Sequence, residues 1–175
     1  MSPLHKPDAV DAIRQQWAQE RPDLDTFQMG LLGRMGRCAA LIHKHLNEVF
    51  AHHGLSSWEF DVLATLRRSG APYCLAPTAL FSSLMLSSGT MTRQLQLLAE
   101  RGLVERIPNP DDARSLLVRL TPGGFALIDQ AVVAHVTNMA AILAPLDTHT
   151  AEALDTGLRT LLAALDMTHE PSVHE

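Results

Sequence analysis

The chain has 175 residues, 46% of them hydrophobic, with 14 Lys/Arg against 19 Asp/Glu and a formal net charge of −5. That length suits one domain, or one domain with helical extensions, and the apolar share is enough for a core and for an oligomer interface. No unbroken run of about 18 apolar residues occurs, the first residues lack the apolar stretch of a secretory signal, and two cysteines make no disulfide framework; the expected compartment is the cytoplasm, with no membrane partner.

Residues 8–21 predict a first helix, with Val10, Ile13 and Trp17 at i, i+3, i+7 and a break at Arg21-Pro22. Trp17 reads either as the packing anchor of this helix or as one wall of a ligand pocket. Residues 26–53 predict a long helix with Leu31, Met35, Cys38, Ile42, Leu46, Val49 and Phe50 along one side. Cys38, His45 and His52 recur every seven residues, with His43 and His53 nearby. Such a row serves a metal or redox sensor only with help from another segment, and a half-buried helix with surface histidines accounts for it equally.

Ser56 and Glu59 form a capping box that opens the next helix, whose core side is Trp58, Val62 and Leu66 and whose end is Ser69-Gly70. Asp61, on another face of its first turns, suits either the helix dipole or a ligand contact. Tyr73-Cys74-Leu75 predicts a short strand, and Pro77 opens a helix to Leu84. Cys74 is a small strand residue unless exposure and a lowered pKa make it reactive.

After a turn, Ser87 and Ser88 are N-cap candidates for a helix that buries Met91, Leu95 and Leu98 and stops at Gly102. Leu103-Val104 and residues 116–120 predict two strands, joined by the turn residues Pro108-Asn109-Pro110-Asp111-Asp112. Phe125 to Leu143 predicts a long apolar helix ended by Pro145, and Leu154, Leu158, Leu161, Leu162 and Leu165 mark a final helix before a polar tail. These terminal helices carry more apolar surface than a small core absorbs, so a homodimer is expected.

A helix backed by a two-stranded wing suits DNA. The helix fits the major groove, and Arg114 near the wing tip suits the narrow minor groove. The charge permits it: residues 1–89 carry 8 Lys/Arg and 8 Asp/Glu, residues 90–119 carry 5 and 4, and residues 120–175 carry 1 and 7, so the acid surplus lies away from the reading head.

Thr92-Arg93, Leu98 through Val104, Asp112-Ala113-Arg114 and Leu120 through Gly124 resemble the recognition helix, wing and wing exit of the MarR family of winged helix-turn-helix transcription regulators. Gln16 through Asp25 and Glu59 through Tyr73 further resemble its PecS-type, urate-responsive branch. The resemblance implies a mainly α, dimeric winged helix-turn-helix fold with a small β-wing and an added N-terminal helix. Its expected parts are residues 1–53 (N-terminal and linking helices), 54–121 (DNA-binding lobe) and 122–175 (dimerisation helices). It implies a repressor that leaves a palindromic double-stranded operator when a small aromatic or heterocyclic anion binds. DNA contacts are expected from Ser88, Thr90, Thr92, Arg93, Gln96 and Arg114, and effector contacts from Trp17, Asp61, Gln94 and Arg106. Gln94 stands where that branch has an arginine and lacks its bidentate, charge-assisted grip on an anion. The effector class therefore stays open between urate, another aromatic or heterocyclic anion, and none. The alternative on the same scaffold is a redox or metal switch built on Cys38, Cys74 or the histidines. No cofactor is expected. No paired-carboxylate, nucleophile–base or phosphate-loop pattern stands out, so catalysis is not expected either.

Overall fold

The structure is a computed structural model that describes residues 6–84 and 91–167. Ser87, Ser88 and Thr90, and with them the N-cap expected for the recognition helix, lie outside the described residues. Helix α1 spans Ala9–Glu20 and α2 spans Phe27–His52. Asp8 caps α1 in a capping box with Asp11. Arg34 of α2 pairs with both carboxylates, at 2.8 Å to Asp8, and so ties the added helix down. Of the apolar residues expected to anchor α1, Val10 is buried, while Ile13 and Trp17 stay exposed.

Helix α3 (Ser57–Arg68) begins at the expected capping box: Ser56 N–H donates to Glu59 Oε2 at 2.8 Å, and Glu59 N–H donates to Ser56 Oγ at 3.3 Å. Strand β1 is Cys74–Leu75. Tyr73, expected in it, sits instead in the left-handed region at φ 58°, so it ends the turn. Its ring packs edge-on to Phe125 at 4.9 Å. Helices α4 (Pro77–Leu84) and α5 (Met91–Glu100) precede the wing strands β2 (Val104–Asn109) and β3 (Asp112–Leu120). The antiparallel sheet runs β1-β3-β2.

The wing is longer than its turn residues suggest. Pro108 and Asn109, expected in the loop, belong to β2, where Pro108 pairs with Leu116 and the register shifts before Asn109. An edge strand tolerates proline because its missing N–H need not face a partner. Only Pro110 and Asp111 separate the strands. The Asn109 side chain holds this tip by accepting from Asp111 N–H at 3.1 Å and donating to Ser115 Oγ at 2.9 Å.

Helix α6 (Pro122–Leu143) starts three residues before the expected Phe125, capped by Thr121 Oγ1, which accepts from Gly124 N–H at 3.0 Å and donates to Gly102 O at 2.7 Å. Gly124 is a required glycine: a Cβ there would stand 1.9 Å from the Leu103 carbonyl oxygen. Helix α7 (Thr148–Met167) closes the described chain.

One core joins Phe50 of α2, Phe60, Val62, Leu63 and Leu66 of α3, Leu80 of α4, Leu95 and Leu98 of α5, the wing root and Ile128 and Ala131 of α6. Helix α7 has no buried residue, and the lower half of α6 exposes Val133, Val136, Met139 and Leu143. Of the apolar row expected on α2, Leu31, Cys38 and Ile42 are likewise uncovered, Leu31 at 50% and Ile42 at 38% exposure, while Phe50 is buried. By length and hydropathy alone α6 would pass for a membrane span, but it sends Gly124, Ile128 and Ala131 into the lobe core and carries Asp129 and His135. It is a shared helix of a folded domain.

Arg34 holds the Asp8 carboxyl down at about 2, against 3.8 for an unperturbed group. The folded pKa is depressed, so this pairing stabilises α1 above pH 3.8 and is lost as pH falls toward 2. Asp8→Asn keeps an N-cap and removes the charge. It is expected to speed amide exchange in residues 9–20 at neutral pH while leaving α3 to α6 as protected as in the wild type.

Candidate nucleic-acid interface

Helix α5 has two faces of opposite character. Leu95 and Leu98 are 2% and 0% exposed and hold it in the core. Thr92, Arg93 and Gln96 are exposed, and Arg93, Gln96 and Glu100 lie along one outward stripe at i, i+3, i+7. The helix end is fixed by Arg101, whose guanidinium pairs with Glu59 and donates to Gly54 O at 2.8 Å. Arg119 is likewise committed, to Glu105 at 2.8 Å. Arg93, Arg106 and Arg114 form no salt bridge with another described residue. Their charge is therefore directed to solvent.

A cleft of about 550 Å³ opens between α4, α5 and the wing. Thr92, Arg106 and Arg114 line it together with Thr78 and Ser115, over the apolar floor of Leu95, Phe81 and Val118. Two guanidiniums and three hydroxyls against the single carboxylate of Asp112 make it a place for phosphate or another anion. Arg106, expected at the effector site, thus shares a cleft with two residues expected to touch DNA.

The other expected effector residues lie elsewhere in the single chain. Gln94 lines a cleft of about 220 Å³ with Ser56, Trp58, Glu59 and Leu97. Trp17 is 41% exposed on α1. Asp61 is on the outer side of α3, where desolvation pushes its carboxyl pKa up against the opposing charges of His135, Arg68 and His43. His135 of α6 packs on Phe50 and Phe60, with ring centroids 5.3 and 4.8 Å away. Its Nδ1 is buried without a hydrogen-bond partner among the described residues, and burial lowers its pKa against the pull of Asp61. Neither of these two clefts holds two of Trp17, Asp61, Gln94 and Arg106.

Sequence reading missed Trp58 as a cleft residue. It lies beside Gln94, and its buried Nε1–H has no acceptor among the described residues. At an amphipathic helix start, a tryptophan that walls a cleft has the same spacing as one that fills a core, so periodicity could not separate them. A third cleft, about 580 Å³ and mostly apolar, lies between α2, α6 and α7 and includes Cys38, His45 and Leu154. Both cysteines are free, Cys38 exposed and Cys74 half-buried. Among the described residues no group of three His, Cys, Asp or Glu is placed to hold a metal ion.

A sequence model described as MarR family matches residues 53–115. The chain is 43% identical, over 157 residues, to the HTH-type transcriptional regulator PecS of Dickeya dadantii, which covers 90% of this chain and 92% of that protein. It is similar to the crystal structure of a mutant MarR from E. coli complexed with operator DNA, at a TM-score of 0.66 and 28% identity over 83% of this chain and 97% of that one. AbsC of Streptomyces coelicolor, at a TM-score of 0.70 and 20% identity over 82% of this chain and 96% of that one, shares the fold.

The raised pKa of Asp61 has a sign that can be measured. Its ionised form is disfavoured in the fold, so its ionisation weakens the protein as pH rises above the ordinary value of 3.8. Asp61→Asn is expected to raise the Tm at pH 7, and the two melting temperatures should converge below pH 3.8.

Proposed function

The chain belongs to the MarR family of DNA-binding, winged-helix transcriptional regulators, and on that premise we propose that it is a homodimeric repressor relieved by a small aromatic or heterocyclic anion. The observation that carries the reading is the exposed row of Thr92, Arg93 and Gln96 on α5, of which Thr92 also lines the wing cleft with Arg106 and Arg114. Residues 54–121 act as the reading lobe. Gln96, Arg93 and Thr92 approach base edges, Ser88 and Thr90, outside the described residues, are kept as further DNA contacts, and Arg114 enters the flanking minor groove. Work on a chromosome places the protein in the cytoplasm.

The uncovered apolar rows of residues 1–53 and 122–175 support a twofold partner, and two reading heads related by that axis suit a palindromic operator. For the effector we keep Trp17, Asp61, Gln94 and Arg106 as the contact set, completed between protomers. An anion held by Arg106 would neutralise the cleft that phosphate needs, which gives it differential affinity for the DNA-free state. The exposure of free Cys38 favours, as a second reading, a thiol switch in place of the effector.

Fluorescence anisotropy with the protein's own promoter tests both steps. Binding should weaken steeply with salt. Arg114→Ala is expected to lower affinity and reduce the salt slope by roughly one. No binding from low to physiological salt would end the DNA reading.

The effector step is read by adding aromatic carboxylates and purine-type anions to the complex. Release is expected, with urate a weak ligand because Gln94 offers no cation, and Arg106→Ala should abolish it. Release by oxidant alone, lost in Cys38→Ser, would transfer the response to the thiol.

A further inference from the structure

The outward stripe of α5 contains one contact that a direct reading of DNA leaves unexplained. Gln96 Nε2 donates to Glu100 Oε1 at 3.1 Å, one helical turn on, and both residues are exposed. Arg101, the adjacent cation, is already committed to Glu59 and to the Gly54 carbonyl. Gln96 is thus the side chain that Glu100 holds. A carboxylate has lone pairs and no proton, so it accepts only from the NH2 end of the glutamine amide.

This decides which way the amide faces. An unheld glutamine turns its amide over freely and loses that freedom on binding. Held by Glu100, Gln96 keeps a second N–H beside its carbonyl oxygen in one fixed order. In the major groove adenine presents an acceptor, N7, beside a donor, N6–H2, whereas guanine presents two acceptors, N7 and O6. The held amide matches adenine at both atoms and sets its oxygen against guanine O6. The Glu100 carboxylate, negative beside a polyanion, has no attraction of its own for the backbone.

We propose that Glu100 is a positioning residue that acts through Gln96 to make the protein select adenine over guanine at one base pair of its operator. The inference rests on Gln96 facing the major groove, and the experiment separates the two. Full-length wild type, Gln96→Ala, Glu100→Ala, Glu100→Gln and the double alanine variant are titrated against the operator and all its single-base-pair substitutions.

Gln96→Ala is expected to erase the preference at one pair, a loss of roughly tenfold or more in discrimination. Glu100→Ala should cut the same preference by roughly threefold to tenfold, with the substituted operators bound as well as before or better. Glu100→Gln, whose amide oxygen still accepts, should retain part of it, and the double variant should lose no more than Gln96→Ala. Glu100→Ala with that preference intact, or with all operators weakened alike, overturns the proposal alone. Gln96→Ala with every preference intact overturns it together with the reading of Gln96.

Discussion

The arrangement depends on how a helix too short to hold itself is held. Helix α5 has ten residues, and an isolated helix below about 12–15 residues is marginal in water. Its order comes from Leu95 and Leu98, 2% and 0% exposed, each contributing about 1.5–3 kcal/mol by burial. Arg101 then fixes the axial position of the helix against the α2–α3 turn through Glu59 and the Gly54 carbonyl. Buried leucines set the rotation of the helix, and the rotation decides which side chains face outward. Arg93, Gln96 and Glu100 are presented together because the opposite side of the helix cannot turn.

Most of the elements were legible because each has a local physical cause. The Ser56–Glu59 capping box, the stop at Gly102 with φ 67°, the i, i+4, i+8 row on α3 and the i, i+4, i+7 row on α5 are properties of neighbouring residues. The errors have two sources, pairing with another element and a local backbone signal passed over. Pro108 and Asn109 read as loop until β3 pairs with them, and Tyr73 reads as strand until a left-handed turn claims its backbone. Helix α6 reads as starting at Phe125, yet Thr121 caps it from the wing exit.

The site divides in the same way. The exposed row on α5 followed from periodicity. The company of Arg106 did not, because only the antiparallel register of β2 and β3 and the packing of α4 bring it into one cleft with Thr92 and Arg114. Trp58 was hidden for a related reason: its depth depends on α5 lying beside it. Helix α6 belongs to both halves of the molecule. It begins in the lobe core, where Asp129 pairs with Arg67 at 2.7 Å and Phe125 lies under the same guanidinium at 4.5 Å. It ends in uncovered apolar surface at Val136, Met139 and Leu143.

The tight joint at Thr121 and Gly124 makes chain length, as much as residue identity, a property the molecule must keep. Only Thr121 separates β3 from α6: the strand ends at Leu120 and Pro122 is already helical. Each residue added to or removed from such a joint turns everything beyond it by about 100° and shifts it by about 1.5 Å. One insertion would carry the apolar stripe of α6 a quarter-turn away from whatever covers it and draw Ile128 and Ala131 out of the lobe core, with no change in the identity of any side chain on the reading surface. The same insertion at the wing tip, between Asn109 and Asp112, would only lengthen an exposed loop. Variation in length among descendants of this chain should accumulate at the tip of the wing and be absent from its root.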